Sequence, residues 1–514
     1  MGATQADVVT AMGKSGAAGP LITVDIDRGS GAPLHFQISE ALRDAVTSGQ
    51  LQAGARLPST RSLAIDWQVS RNTVLQVFET LIGEGYLEAR VGDGTYVRHH
   101  TSTGLEAAID ERSSDAKPTA YPFRGLSQRG KALIEHRFGG LTERPTLFMP
   151  DVPDLQAFPI RSWLRLMNEV SGRLKGDLLV NVSNAGYEPL RDAIAQHLRA
   201  ARGMIVDTNQ VIITTGSQQS LDLLARLLVD RGDPVWMEEP GYDGAKAALT
   251  ANGCSVLPVP TDEAGMNIEY GRARYPTPRM ILVSPSRHYP LGATLSSERR
   301  QQLLDFSRAT GAWILEDDYD CEFRYRGPSP AALQSADRDG RVVSIGTFSK
   351  TLLPSFRLGF VVVPPDLADD FAKARAVIDR HAPIMEQMVL AEFMHRGLYA
   401  AHIRRMRRLY AQRQAAMLTM LADSLSYTPP DFECASGMHV VLPFRDGVDD
   451  TAVARQLWEN RIVSRPLSMY YGGRRSRSGL LLGFAAFRPE DILSAGKYLI
   501  GLDDLIRPPA CDPV

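Results

Sequence analysis

The sequence predicts a small helical head joined to a larger α/β body with a mixed, mostly parallel sheet and a C-terminal α+β part. Three observations carry this. Apolar residues recur at helical spacing between Leu34 and Val46, and two serine-started helical stretches follow. Strand-like runs alternate with helical stretches from about Phe138: Val211–Thr215, Val235–Glu238, Met280–Val283, Trp313–Leu315 and Val342–Ile345. Late in the chain, long helical segments from about Met385 give way to Met438–Pro443 and Leu480–Ala485. At 514 residues the chain exceeds what one core supports, so several domains are expected.

The expected boundaries are a loose Gly/Ala/Ser/Thr-rich arm over 1–30, the head over 31–98, a polar linker over 99–137 and the body over 138–508. There are no internal repeats. Composition is 44% hydrophobic and 23% charged, with mean hydropathy -0.16, as in ordinary globular proteins. No apolar run reaches bilayer length and the N-terminus lacks a signal-peptide pattern, so a cytoplasmic protein is expected. The four cysteines (Cys254, Cys321, Cys434, Cys511) are scattered without a C-x-x-C pair, which favours free thiols over disulfides or a zinc site. A net charge of -2 means that any nucleic-acid binding must come from a local patch.

In the head, Leu34, Ile38, Leu42 and Val46 mark a first helix that stops at Gly49. Ser59 is the expected N-cap of a second helix with Leu63 and Ala64 inward, and Trp67-Gln68-Val69 form a turn. Ser70 caps a third helix whose Val74, Val77, Phe78 and Leu81 make one stripe, with Asn72 and Gln76 opposite. Arg71 and Thr73 fall in its first turn, the part of a recognition helix that meets base edges. After Gly85, Tyr86–Arg90 and Thr95–Val97 flank Val91-Gly92-Asp93-Gly94 as a strand–turn–strand wing. These elements make a winged helix-turn-helix.

The body offers the four things a pyridoxal phosphate site needs: an amine, an acid for the ring nitrogen, a phosphate cup and a ring clamp. Lys350, in Thr347-Phe-Ser349-Lys350 with Arg357 close behind, suits a Schiff base with a phosphorylated aldehyde. Val211–Thr215, Gly216 and the helix beginning near Ser217 and Gln218 would present free N–H groups to a phosphate, although many α/β connections look alike. Tyr242, at the end of Glu238-Glu-Pro-Gly-Tyr242, could lie flat on a ring or simply pack. The apolar strand ending in Glu316-Asp317-Asp318-Tyr319-Asp320 makes Asp317 an apt partner for a cationic ring nitrogen and puts Tyr319 near a ring oxygen. A solvated strand end or a metal site are the other readings of that cluster. No metal is expected, since no histidine lies close in sequence. Thr347, Ser349 and Arg357 complete the phosphate donors.

The head resembles that of the GntR family over Leu57–Ala64, Ser70–Val74 and Gly92–Thr95, and the body resembles a fold-type-I aminotransferase. Joined, they resemble the MocR family of GntR-type regulators from Pro33 to about Leu505. The resemblance implies DNA contacts from Arg61, Ser70, Arg71, Asn72, Thr73 and the wing glycines Gly92 and Gly94. It implies Lys350 as the Schiff-base lysine, Asp317 at the pyridine nitrogen, Tyr319 at the 3-oxygen and Tyr242 stacked on the ring. Ser217, Gln218, Thr347, Ser349 and Arg357 are implied around the phosphate. It implies a head-to-tail homodimer, each head against its partner's body, reading paired half-sites on double-stranded DNA. The implied small-molecule effector is pyridoxal phosphate itself or an amino compound.

Two departures bear on activity. Ser284-Pro-Ser-Arg-His-Tyr-Pro290 stands where aminotransferases carry Asn-Pro-x-Gly, so Tyr289 or His288 replaces the amide. Leucines fill Gly479–Ala485, where an arginine for the substrate carboxylate is sought, and Arg475 or Arg477 are loop residues. Without that anchor an amino acid is poorly oriented. The expectation is therefore a regulator of vitamin B6 or amine and amino-acid genes with weak transaminase activity at most. The alternative is an active aminotransferase with an appended DNA-binding head. The basic run His402–Arg408 is expected to be a solvated helix face or a dimer contact.

Overall fold

The computed structural model describes residues 24–98, 125–135, 146–174, 176, 183–473 and 477–506. It divides into two units, Met1–Arg124 and Gly125–Val514. The expected arm up to residue 23, most of the linker and Arg475 lie outside the described residues.

In the first unit, α1 (Leu34–Thr47) buries Ile38, Leu42 and Ala45. Leu34 and Val46 sit at the margins of that face, because a four-residue step overshoots the 3.6-residue turn and drifts round the helix. The start of α2 (Thr60–Asp66) is held by Ser59, whose hydroxyl accepts the Ser62 N–H at 3.1 Å. Ser70 does the same for α3 (Arg71–Gly83), accepting from Thr73 at 3.1 Å. Val74, Val77, Phe78 and Leu81 pack with Ile38, Leu42, Leu63 and Trp67 in one core. Trp67, expected in a turn, is thus a core anchor: the short α2 buries only Leu63, so the indole fills the remaining space. Gly85 turns the chain at φ 85° into β1 (Leu87–Arg90), which pairs antiparallel with β2 (Gly94–Val97). Gly94, expected in the turn, pairs with Arg90 as the first residue of β2, which leaves a tighter wing tip.

In the second unit, the segment expected to be linker contains a helix, Gln128–Glu135. The Ser127 hydroxyl accepts the Gly130 N–H at 3.1 Å and so satisfies a donor in its first turn. The main sheet has eight strands: β3 (Val211–Thr214), β4 (Pro234–Glu239), β5 (Ser255–Asp262), β6 (Gly265–Met266), β7 (Met280–Val283), β8 (Trp313–Asp318), β9 (Val342–Thr347) and β10 (Gly359–Val362). Their order is β3-β10-β9-β8-β7-β4-β5-β6. The run β5-β4-β7-β8-β9 is parallel, whereas β10 is antiparallel to both neighbours and β6 is antiparallel to β5. β3, β7, β9 and β10 are buried along their whole length, which is why they appear as unbroken apolar runs. A second sheet, β11 (His439–Pro443), β12 (Arg465–Pro466) and β13 (Gly479–Gly483), is antiparallel in the order β11-β13-β12.

This topology gathers the C-terminal ends of β3, β4, β8 and β9 at one edge of the main sheet, the edge where open α/β sheets bind ligands. Gly359 opens β10 there, opposite both Thr347 and Thr214. The basic run is partly structural: His402 Nε2 donates to the Thr351 carbonyl at 2.9 Å, and Arg407 donates to that of Glu322 at 2.9 Å. Arg404 and Arg408 are exposed.

A Cβ on Gly359 would meet the Gly216 Cα at 2.8 Å and the Gly346 carbonyl oxygen at 3.0 Å. Backbone cannot yield as a side-chain tip can. Gly359→Ala is therefore expected to lower stability by roughly 1–3 kcal/mol, measured as a fall in the urea midpoint.

Candidate cofactor site and nucleic-acid interface

Strand alternation sorts the carboxylates at the end of β8. Glu316 is buried and accepts from Leu333 N–H at 2.6 Å, Gln334 N–H at 3.2 Å and Ser344 Oγ at 3.0 Å. Asp318 pairs with Arg202, which also donates to Ser286 Oγ at 2.6 Å. Asp320 lies 3.4 Å from Arg287 Nε. Asp317 points the other way and has neither a hydrogen bond nor an ion pair among the described residues. Burial, reinforced by Asp318 and Asp320, pushes its carboxyl up to about 7 against the weaker pull of Lys350. Tyr319 also buries a hydroxyl with no partner.

Lys350 follows the end of β9 and is half-buried. Its Nζ donates to the Asp151 carbonyl at 3.0 Å and lies 3.7 Å from Asp151 Oδ1. Asp151 Oδ2 accepts from the Tyr289 hydroxyl at 2.7 Å and from Arg465 at 3.1 Å. Tyr289 is also 2.8 Å from the Tyr470 hydroxyl. Burial alone would raise the Asp151 carboxyl, but Lys350, Arg465 and His439 outweigh it and hold the group well below the usual carboxylate range. Tyr242, Tyr319, His439 and Tyr470 all meet the Tyr289 ring edge-on, with centroids 5.2–6.0 Å apart.

Beside them, β3 runs through Gly216 into α4 (Ser217–Leu228). The N–H groups of Ser217 and Gln218 lie in the first turn, where a helix offers no internal acceptor. Gly216 has φ 116°, and a side chain there would meet the Arg357 guanidinium at 3.3 Å. Arg357 itself adopts a left-handed backbone (φ 48°), which turns it back toward this loop. Thr347 Oγ1 accepts the Ser349 N–H at 3.2 Å. The Gln218 side chain donates to the Gly244 carbonyl at 2.8 Å, so this residue faces the cradle with its main chain.

Sequence reasoning missed Asp151, Tyr470 and Arg465. A guanidinium stands on the strand beside Gly479–Gly483, where Arg465 pairs with Leu481. Its one signal is a charge in the apolar run Ile462-Val-Ser-Arg465-Pro. Arg477 is exposed. Of the two residues offered in place of the amide, Tyr289 enters the site. His288 is fully buried and 2.9 Å from the Pro240 carbonyl, with burial pushing its imidazole down to about 3.

In the first unit Arg61, Arg71 and Asn72 are exposed, and neither arginine has an ion pair among the described residues. Wing residue Arg90 lies over the Tyr96 ring at 4.3 Å, and the Tyr96 hydroxyl donates to Asp93 at 2.8 Å.

Residues 34–97 match the family described as bacterial regulatory proteins, gntR family, and residues 151–479 match aminotransferase class I and II. The chain is 39% identical over 469 residues to the probable rhizopine catabolism regulatory protein MocR of Rhizobium meliloti, covering 90% of this chain and 92% of that protein. The chain belongs to the MocR family of GntR-type transcriptional regulators. The MocR-type chain is also 30% identical to the pyridoxine biosynthesis regulator PdxR of Corynebacterium glutamicum, covering 89% and 93% of the two. Among solved structures it is similar to the α-aminoadipate aminotransferase LysN of Thermus thermophilus (TM-score 0.64, 27% identity, covering 72% of this chain and 95% of that one).

Pyridoxal phosphate is the cofactor of this MocR-type body, and the residues present fit it. The unpartnered Asp317 carboxyl suits a cationic ring nitrogen, the unpartnered Tyr319 hydroxyl a ring oxygen, and the α4 N–H groups with Arg357 a phosphate.

In cofactor-free protein the raised Asp317 carboxyl carries a sign. The folded state holds a proton that the unfolded state gives up near pH 4, so its contribution to stability falls as pH rises toward about 7. Urea midpoints of the cofactor-free Asp317→Asn protein should therefore rise relative to wild type between about pH 4 and 7 and level off above. A difference that is flat with pH would contradict the buried, unpartnered state of this group.

Proposed function

We propose that this MocR-type chain is a cytoplasmic homodimeric regulator in which pyridoxal phosphate held at Lys350, with or without an amine effector, sets the operator affinity of the winged head. The observation that carries the reading is Asp317: among the clustered carboxylates it alone lacks a protein partner, and it lies on the Lys350 side of the sheet edge. When bound, the cofactor supplies an aldehyde for a primary amine and an electron-poor ring. Asp317 would hold the proton at the ring nitrogen, and Tyr319 would orient the ring through its oxygen. Ser217, Gln218, Thr347, Ser349 and Arg357 would fix the phosphate, with Tyr242 against the ring.

In the head, Arg61 would anchor on phosphate while Ser70, Arg71, Asn72 and Thr73 meet the major groove and the Gly92–Gly94 tip approaches the backbone. Two heads in a dimer would read paired half-sites. A ligand changes that affinity only if it favours one dimer arrangement over another. The named roles of relatives, pyridoxine biosynthesis and rhizopine catabolism, support vitamin B6 or amine catabolic genes as targets.

Arg465 favours a second reading, a working aminotransferase that carries a DNA-binding head, because a guanidinium does stand near Lys350. Steady turnover of an amino donor with a keto acid, lost in Lys350→Ala, would support it.

Binding to DNA from the chain's own genomic neighbourhood tests the regulator. Arg71→Ala should weaken promoter affinity by about 1–3 kcal/mol and reduce the salt slope, while the protein keeps its visible absorption. Lys350→Ala should lose that absorption and bind DNA with an affinity that no longer responds to added pyridoxal phosphate. Unchanged promoter affinity in Arg71→Ala would remove α3 as the recognition helix.

A further inference from the structure

Asp151 is an unusual residue to find beside Lys350. It is a non-glycine residue in the left-handed region (φ 69°), and its carboxylate side chain is only 13% exposed. The fold pins it from both sides. The Phe148 carbonyl accepts the Gly483 N–H at 2.7 Å, and the Leu147 carbonyl accepts that of Val463 at 2.9 Å. Downstream, the Asp154 N–H donates to the Tyr410 hydroxyl at 2.9 Å, and Asp154 Oδ2 pairs with Arg413 at 2.5 Å. Asp151 therefore reaches into the site from a rigid segment.

Its position is the one a ligand's carboxylate would take. Oδ2 receives Arg465 at 3.1 Å and the Tyr289 hydroxyl at 2.7 Å, while Oδ1 lies 3.7 Å from the Lys350 amine. Among the described residues, the cations paired with Asp151 are Lys350 and Arg465. Arg465 is already joined to Asp151. A ligand carboxylate placed on Arg465 would be a buried anion whose cation is already compensated, next to a second anion. A hydroxyl faces no such cost: it can donate to Asp151 and accept from Tyr470 or Arg465.

We infer that Asp151 determines specificity by standing in for a ligand carboxylate on Arg465, so that the effector is a hydroxyl-bearing primary amine without a carboxylate. The inference rests on the reading that Lys350 holds the cofactor.

The test uses the full-length, cofactor-loaded protein and a matched pair of probes, β-alanine and its alcohol counterpart propanolamine. Binding is followed by calorimetry and by the change in visible absorption. Wild type should prefer propanolamine by about tenfold or more. Asp151→Gly, which suits the left-handed backbone, should move the preference toward β-alanine by about tenfold or more, and Asp151→Asn, which keeps the size, should move it in the same direction. Coloured wild-type protein that binds β-alanine as tightly as propanolamine, or binds neither, overturns the inference. So does a preference that both variants leave unchanged. Protein that acquires no visible absorption before any amine is added overturns the cofactor reading at Lys350 itself.

Discussion

Burying carboxylates at the C-terminal edge of a parallel sheet is costly, and this body offsets that cost by giving the neighbours of Asp317 a hydrogen-bond or ion-pair partner. Glu316 is capped by main-chain N–H groups, Asp318 is joined to Arg202, Asp320 lies by Arg287, and Asp151 is shared between Lys350 and Arg465. Asp317 is the exception. The strand period of two sets it apart, because Glu316 and Asp318 face one side of β8 and Asp317 faces the other. A buried carboxyl with neither a hydrogen bond nor an ion pair among the described residues suits a cation, and the ring nitrogen of pyridoxal phosphate fits that need.

The geometry around Lys350 follows from how three separate stretches converge. β9 delivers Lys350, the loop before residue 160 delivers Asp151, and the edge strand β12 of the small sheet delivers Arg465. The tyrosines between them, Tyr242, Tyr289, Tyr319 and Tyr470, supply apolar faces and hydroxyl tips at once. Such a wall can hold a flat ring and still offer hydrogen bonds to a small polar ligand.

The head depends on a different economy. Its core is small, so two serine caps and one tryptophan do much of the ordering. The polar face of α3 is left open, with Arg71 and Asn72 exposed and Arg71 without an ion pair among the described residues.

The caps at Ser59 and Ser70, the stripe of α3, the buried strands and the chain order Gly216, Asp317, Lys350, Arg357 were legible because each depends on neighbours in sequence: local hydrogen bonds, helix or strand period, or one strand–turn–helix unit. The helix Gln128–Glu135 was not, since its polar composition hid a serine-started turn. Nor were Asp151, Tyr470 and Arg465. Their contacts with Tyr289 and Lys350 join stretches far apart in the chain, and periodicity along the late strands does not foresee that β12 pairs with β13. Local spacing determined which groups this protein can offer a cofactor and DNA. Tertiary packing alone decided which charges neutralise one another, because electrostatic pairing depends on distance in space and burial, and neither is written along the chain.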